Sequence, residues 1–325
     1  MTDRRAFLAG TLAVLSAPLA AQDAGRQYRI GVLDTSAEPA NMTNMEQLRK
    51  GLRELGYVEG TNLRIEYRTA EARNERYPAL AAELARIKVD LIVANGTPAT
   101  LAAKKTSGMI PVVTATALDP VETGLVASLQ RPGGNVTGMA ILTSDLERKR
   151  IELLRAIAPG RKRVAVLINM GNPGLATTWK VIEAAATSIG LQAVLVDVRR
   201  PDKIAGALDA AVAKQADALV VRIGALPEAD RRAVVDLAAR HRLPAIYAQR
   251  QYVDAGGLVS YGISTPDMYY RAAAFADKIF KGAKPSDLPM EHPTKFELVI
   301  NRKTLKALDL VIPPDLLLRS NEIVG

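Results

Sequence analysis

Residues 89–104 read VDLIVANGTPATLAAK, and the stretch changes character at its middle. Val89 to Ala94 form an apolar, β-branched run of the length of a buried strand. Asn95 and Gly96 break it, and Thr97-Pro98-Ala99 opens a helix, with Thr97 as N-cap and Pro98 at the first helical position. A buried strand running straight into a helix is half of a βα unit. The rest of the chain supplies more of them.

Working outward, YRIGVL (28–33) and IPVVTA (110–115) flank this strand as further apolar runs. The segments between them are amphipathic, with Met45, Leu48, Leu52 and Leu55 at helical spacing. Alternating βα elements predict mostly parallel sheets. The second half repeats the plan with RVAVLI (163–168), DALVVRIG (217–224) and LPAIYA (243–248). Matching Ile30 to Val164, Asp90 to Asp217 and Pro111 to Pro244 gives offsets of 134, 127 and 133 residues. The near-constant offset predicts two Rossmann-like lobes.

The pattern pauses at GMAILTSD (138–145), GGLVSYGIST (256–265) and KPSDLPMEHPTKF (284–296), which read as three crossings of a hinge. The expected division is an N-terminal lobe of 28–141 with 263–288 and a C-terminal lobe of 142–262 with 289–325. Ligands of open parallel sheets sit outside the carboxyl ends of the strands, so both lobes should aim their loops into one shared cleft.

Residues 1–21, MTDRRAFLAGTLAVLSAPLAA, have the layout of an export signal: Arg4-Arg5, a short apolar run, then small residues. Arg4-Arg5 with Phe7-Leu8 is similar to a twin-arginine motif. The apolar part is too short to span a bilayer. Cysteine is absent, so there is no disulfide framework and no thiol for lipid attachment; the mature chain is expected free in the periplasm, without a membrane anchor and as a monomer. The net charge of +9 is spread as mixed pairs such as Arg53 with Glu54, with short clusters such as RKR (148–150) and no interleaved aromatics. That pattern favours a solvated surface over a nucleic-acid footprint.

Several positions at strand ends carry binding chemistry. The backbone N–H groups of Ala99 and Thr100, with the Thr97 hydroxyl, would face outward at a helix N-terminus and suit a carboxylate; alternatively Thr97 only caps its helix. Asp119 in TALDPVETGL could pair with an ammonium, or simply start a turn or cap the helix near Val121. Asn169 and Asn172 in NMGNPG offer donors and acceptors from the second lobe, or serve only as turn residues. An enzyme would need a nucleophile, base or metal cluster. His241 and His292 lack ligand spacing, and no GxxxxGK loop or GxSxG turn occurs. No catalysis, cofactor or metal is expected.

Read in order, NGTPAT, IPVVTATALDPVETGLVASLQRPGGNVTG, LPAIYAQRQYVDAGGLVSYG and PTKFELVINRKTLKALDLVIPP resemble the ABC-transporter substrate-binding proteins that include receptors for tryptophan and other amino acids. The resemblance covers essentially the whole mature chain, most specifically Asp119 to Gly138. It implies a type I periplasmic-binding fold, capture of a small carboxylate-bearing ligand by closure of two lobes, and delivery to a membrane permease. It further implies that the GTPA turn (96–99) holds the ligand carboxylate, that Asp119 meets the ammonium, and that Asn169 and Asn172 close from the other lobe. Tyr247 or Tyr261 would touch an apolar or aromatic part. The chain departs from the family pattern after the strand at 217–223, where Arg222 stands; an acidic or longer carboxylate group could face it. A ligand-sensing receptor is the alternative function, since two-lobed folds also serve signalling. The ligand's identity is not legible in the residues.

Overall fold

The computed structural model describes residues 26–106, 108–222, 226 and 228–325. The expected export signal at 1–21 lies outside them. Twelve strands form two sheets among the described residues. The first contains β1 (Tyr28–Asp34), β2 (Leu63–Thr69), β3 (Leu91–Ala94), β4 (Val112–Leu118) and β5 (Val136–Ile141), in the order β2-β1-β3-β4-β5 and wholly parallel. The second contains β6 (Arg163–Ile168), β7 (Gln192–Asp197), β8 (Ala218–Arg222), β9 (Ala245–Tyr247), β10 (Val259–Ile263), β11 (Phe296–Asn301) and β12 (Glu322–Val324). Its order is β12-β11-β10-β9-β8-β6-β7. Stripped of β11 and β12, the second order repeats the first strand for strand.

The repeat extends to single hydrogen bonds. Asp90, just ahead of β3, accepts the Arg29 N–H at 2.7 Å, and Asp217, just ahead of β8, accepts the Arg163 N–H at 2.9 Å. Each carboxylate thus ties the start of a central strand to its neighbour. The departure from a parallel sheet is β11, which runs antiparallel to β10. It enters after the chain's last crossing, from the opposite end, and β12 then adds to it in parallel.

Alternation along the strands builds a layer on each face. Ile30 and Val32 of β1 point to α1 (Met42–Glu54), whose Met45, Leu48 and Leu52 are wholly buried. Leu33 points the other way, to Leu80 and Leu84 of α2 (Tyr77–Arg86) and Ala99 and Ala103 of α3 (Thr97–Thr106). In the second lobe Val164, Val166 and Ile168 of β6 meet Ile151 and Leu154 of α4 (Thr143–Ile157) and Ile182 of α5 (Pro173–Ser188). Ala165 and Leu167 meet Leu208 of α6 (Ile204–Ala213) and Val234 and Leu237 of α7 (Glu228–Arg240). Tyr252 of the short α8 (Gln251–Asp254) joins the same layer.

The chain passes between the sheets three times. β5 runs into α4, which packs on the second sheet. β10 runs into α9 (Thr265–Phe280), which lies against α1 on the first. Residues 281–295 then return to β11. The return segment is stitched to the first crossing: Glu291 N–H donates to Gly138 O at 3.0 Å, and Ala140 N–H to Glu291 O at 2.8 Å. Gly51 sets the depth of the α1–α9 contact, since a Cβ there would stand 2.7 Å from Tyr270 O and 2.8 Å from Ala273 Cβ.

Candidate functional site

The carboxyl ends of both sheets face a single cleft, with a cavity volume of about 360 Å³, within the size range of small-molecule sites. Its two walls have opposite chemistry.

The wall from the first lobe is neutral and polar. It is organised by Asp34, the last residue of β1, which is wholly buried and does not itself line the cleft. Asp34 accepts the backbone N–H groups of Thr35 (2.7 Å) and Ser36 (3.1 Å), Asn41 Nδ2 (2.8 Å), Asn95 Nδ2 (3.1 Å) and the Tyr269 hydroxyl. Burial pushes its carboxyl above the usual carboxylate range, against the pull of those donors. The carboxylate acts as a hub that fixes Asn41, Asn95 and Thr35 at the cleft surface. Asn95 Oδ1 accepts from Thr116 Oγ1 at 2.5 Å, and Asn44 Nδ2 donates to Asn41 Oδ1 at 2.6 Å. Asn44 Oδ1 is left buried and without a partner.

The wall from the second lobe is cationic: Arg150, Arg199, Arg200, Arg222 and Arg231 line it, with Asn169 and Asn172. Arg199 and Arg200 are exposed and paired with Asp197 and Asp202. Arg150 and Arg222 are different, because only 3% and 9% of their side chains is exposed. Both converge on Glu147, which is fully buried. Arg150 also donates Nε to Tyr261 O at 2.6 Å, across to β10. Arg222 Nε sits 2.8 Å from Glu147 Oε1 but without hydrogen-bonding alignment, and it counts as a buried donor lacking a partner. Burial lowers the Arg222 pKa to about 10, with Glu147 opposing the shift; the guanidinium stays charged at neutral pH.

The residues singled out from the sequence fall into three groups. Asn169, Asn172 and Arg222 line the cleft. Asn172 Oδ1 caps α5 by accepting the Gly174 N–H at 3.0 Å, and Asn169 Oδ1 accepts from Gly171 at 2.9 Å, so their Nδ2 groups are the ends available to a ligand.

The α3 terminus is placed differently from the expectation. Gly96, at φ 85°, accepts the first helical bond from Thr100, so Gly96 is the cap and Thr97 the first helical residue. Thr97 borders the cleft but is wholly buried, its hydroxyl accepting the Leu118 N–H at 3.1 Å. Thr100 spends its hydroxyl on Gly96 O at 2.8 Å and Thr114 Oγ1 at 3.1 Å, and Ala99 is buried in the core. Pro98 faces the cleft and has no N–H to give.

Asp119, Tyr247 and Tyr261 lie outside the cleft lining. The Asp119 carboxylate accepts Thr143 N at 3.0 Å and Thr143 Oγ1 at 2.6 Å; it caps α4 from a distant segment, not the helix near Val121, and is not offered to an ammonium. The Tyr247 ring is buried and stacked on Tyr252 at 4.9 Å, where core packing claims it. Tyr261 contributes its carbonyl to Arg150 while its ring stacks near Phe296 at 6.4 Å.

Asp34, Asn95, Glu147 and Arg150 are not read as site residues from the sequence. Asp34 and Asn95 had a legible signal: polar residues at the carboxyl ends of strands. Glu147 and Arg150 did not, because an i, i+3 pair of opposite charges reads as a solvated helix face. Among the described residues no cluster of His, Asp and Glu could hold a metal, and neither histidine lines the cleft.

Two parallel-sheet lobes with a three-stranded hinge and a cleft at the strand ends define a type I periplasmic-binding fold. The model of the ABC transporter substrate binding protein family matches residues 29–324, and the chain belongs to that family. A tyrosine-binding protein of Clostridioides difficile (strain R20291) is 28% identical over 289 residues, 89% of this chain and 83% of that protein. The solved structure of an ABC domain in complex with L-Trp from Streptococcus pneumoniae superposes with a TM-score of 0.85 at 26% identity, covering 92% of this chain and all of the other. The ligand-free, open structure of a substrate-binding protein from Clostridium difficile, also 26% identical and covering 92% of this chain and 99% of that one, gives 0.64.

Proposed function

We propose that this substrate-binding protein works in the periplasm as a monomer, closes its lobes on a small carboxylate-bearing ligand and delivers it to an ABC permease. The observation that carries this reading is the cleft itself: a space at the carboxyl ends of two sheets, one wall of oriented amides and hydroxyls, the other holding the buried Arg222 and Arg150. Arg222 would take the carboxylate, the Nδ2 groups of Asn169 and Asn172 would close over it, and Asn41, Asn44 and Asn95 would receive the ligand's polar end. Leu118, Leu146, Leu175 and Leu226 give an apolar body somewhere to lie. A tyrosine-binding relative and an L-Trp complex in the family make aromatic carboxylates the first compounds to try. The layout of residues 1–21, with Arg4-Arg5, a short apolar run and then small residues, fits an exported protein.

The test is a thermal-shift screen of small carboxylates followed by calorimetry on any that raise the melting temperature. A ligand present at a hundred times its Kd should add roughly 2.7 kcal/mol to stability. Binding by neutral sugars, with no carboxylate active, would defeat the reading.

A further inference from the structure

Five arginines and, among the described residues, no acidic residue line the cleft. We infer that it selects a net-anionic carboxylic acid without an ammonium, with Arg222 as the residue that sets this preference; the inference rests on the capture reading above.

An amino acid brings both a carboxylate and an ammonium into the cleft, and each needs a partner once water is expelled. Arginines are the only charged residues among the described residues of the lining. The nearby carboxylates do not line the cleft. Asp34 is saturated by five donors and Asp119 by Thr143; Glu147 is fully buried between two guanidiniums, with its Oε2 lacking a hydrogen-bond partner; Asp197 and Asp202 are paired with Arg199 and Arg200. An ammonium would find a neutral acceptor at best, the unpartnered Asn44 Oδ1, and would sit in a field set by arginines. A hydroxyl suits that amide oxygen equally well at no electrostatic cost.

Arg222 presents the complementary need. It lines the cleft, is nine-tenths buried, and its Nε faces Glu147 Oε1 at 2.8 Å without hydrogen-bonding alignment. Its pairing with Glu147 is shared with Arg150, so one carboxylate serves two guanidiniums. An incoming carboxylate gives the guanidinium a second acceptor of its own, in the bidentate geometry that the group offers.

The experiment compares matched pairs on the wild-type protein by calorimetry at 0.15 M salt, near physiological ionic strength. The pairs are L-tyrosine with hydroxyphenylpropionate, L-tryptophan with indolepropionate, L-leucine with isocaproate and L-glutamate with glutarate. Each acid is its amino acid without the amine. The expected result is that the best acid binds at least about tenfold tighter than its amino acid, and that Arg222→Lys, which keeps the charge but loses the fork, removes at least about tenfold of that affinity. An amino acid binding as tightly as its acid overturns the inference and leaves capture standing. An Arg222→Lys protein with wild-type affinity overturns the role of Arg222. No binding by any compound of either set overturns inference and capture reading together.

Discussion

Asp119 shows how one residue can carry the wrong chemistry on its face. It stands at the carboxyl end of β4, where a ligand-binding carboxylate belongs, yet both oxygens are turned to Thr143 at the start of α4. There it satisfies a helix N–H that the chain's own N-cap position, Leu142, cannot serve, since leucine has no acceptor. It also holds φ at 40°, a conformation that Asp tolerates better than Ala. Asp119→Ala should therefore lower the stability of the ligand-free protein by about 1 to 2 kcal/mol in urea unfolding. Its affinity for ligand should stay within about threefold of wild type, because the carboxylate does not line the cleft. A hundredfold loss of binding at unchanged stability would return Asp119 to the site.

Between helices the informative contact is α5 against α3, where the lobes touch. Gly174, in the first turn of α5, faces Thr97 and Leu118 of the other lobe; an added Cβ would stand 2.7 Å from Leu118 Cβ and 2.8 Å from Thr97 Oγ1. Neither neighbour can retreat, since Thr97 is bonded to Leu118 and both begin or end core elements. Opening the lobes, however, relieves the clash entirely. Gly174→Ala should thus cost about 1 to 3 kcal/mol in the closed form alone, read as roughly ten- to hundredfold weaker ligand binding with the melting temperature of the free protein almost unchanged. Equal affinities for the variant and wild type would mean that this closed contact is not made in the bound state. Gly138 is a contrasting case. Its φ of 120° and an added Cβ 2.3 Å from Thr114 O place the strain within one sheet, where no hinge motion can relieve it.

At the scale of the molecule, three crossings and a small interlobe contact describe two rigid bodies with one soft coordinate. Each lobe has its own two-layered core, with Leu118 and Tyr261 packed against a layer of each lobe. Ligand should decrease the radius of gyration in small-angle scattering while the far-ultraviolet circular dichroism stays the same. Superimposable scattering curves with and without a saturating ligand would contradict a hinge.

The residues by themselves determined the lobes, their βα order and their kinship, because buried parallel strands must be apolar throughout and a repeated run at a near-constant offset has few other meanings. Strands such as β2 and β7 were hidden from that reading; at the sheet edges their half-exposed residues mix polar with apolar. Arg222 was legible as a departure from the family pattern, and Asn169 and Asn172 as strand-end amides. Which polar groups reach the cleft was decided only by tertiary structure. Asp34, Asp119 and Glu147 are all acids near strand ends or on a helix face, and nothing local says that each is turned inward to a hub, a distant cap or a pair of arginines. A side chain's direction depends on which partner claims it, and those partners, Tyr269, Thr143 and Arg222, lie 235, 24 and 75 residues away in the chain and meet only when the lobes are folded.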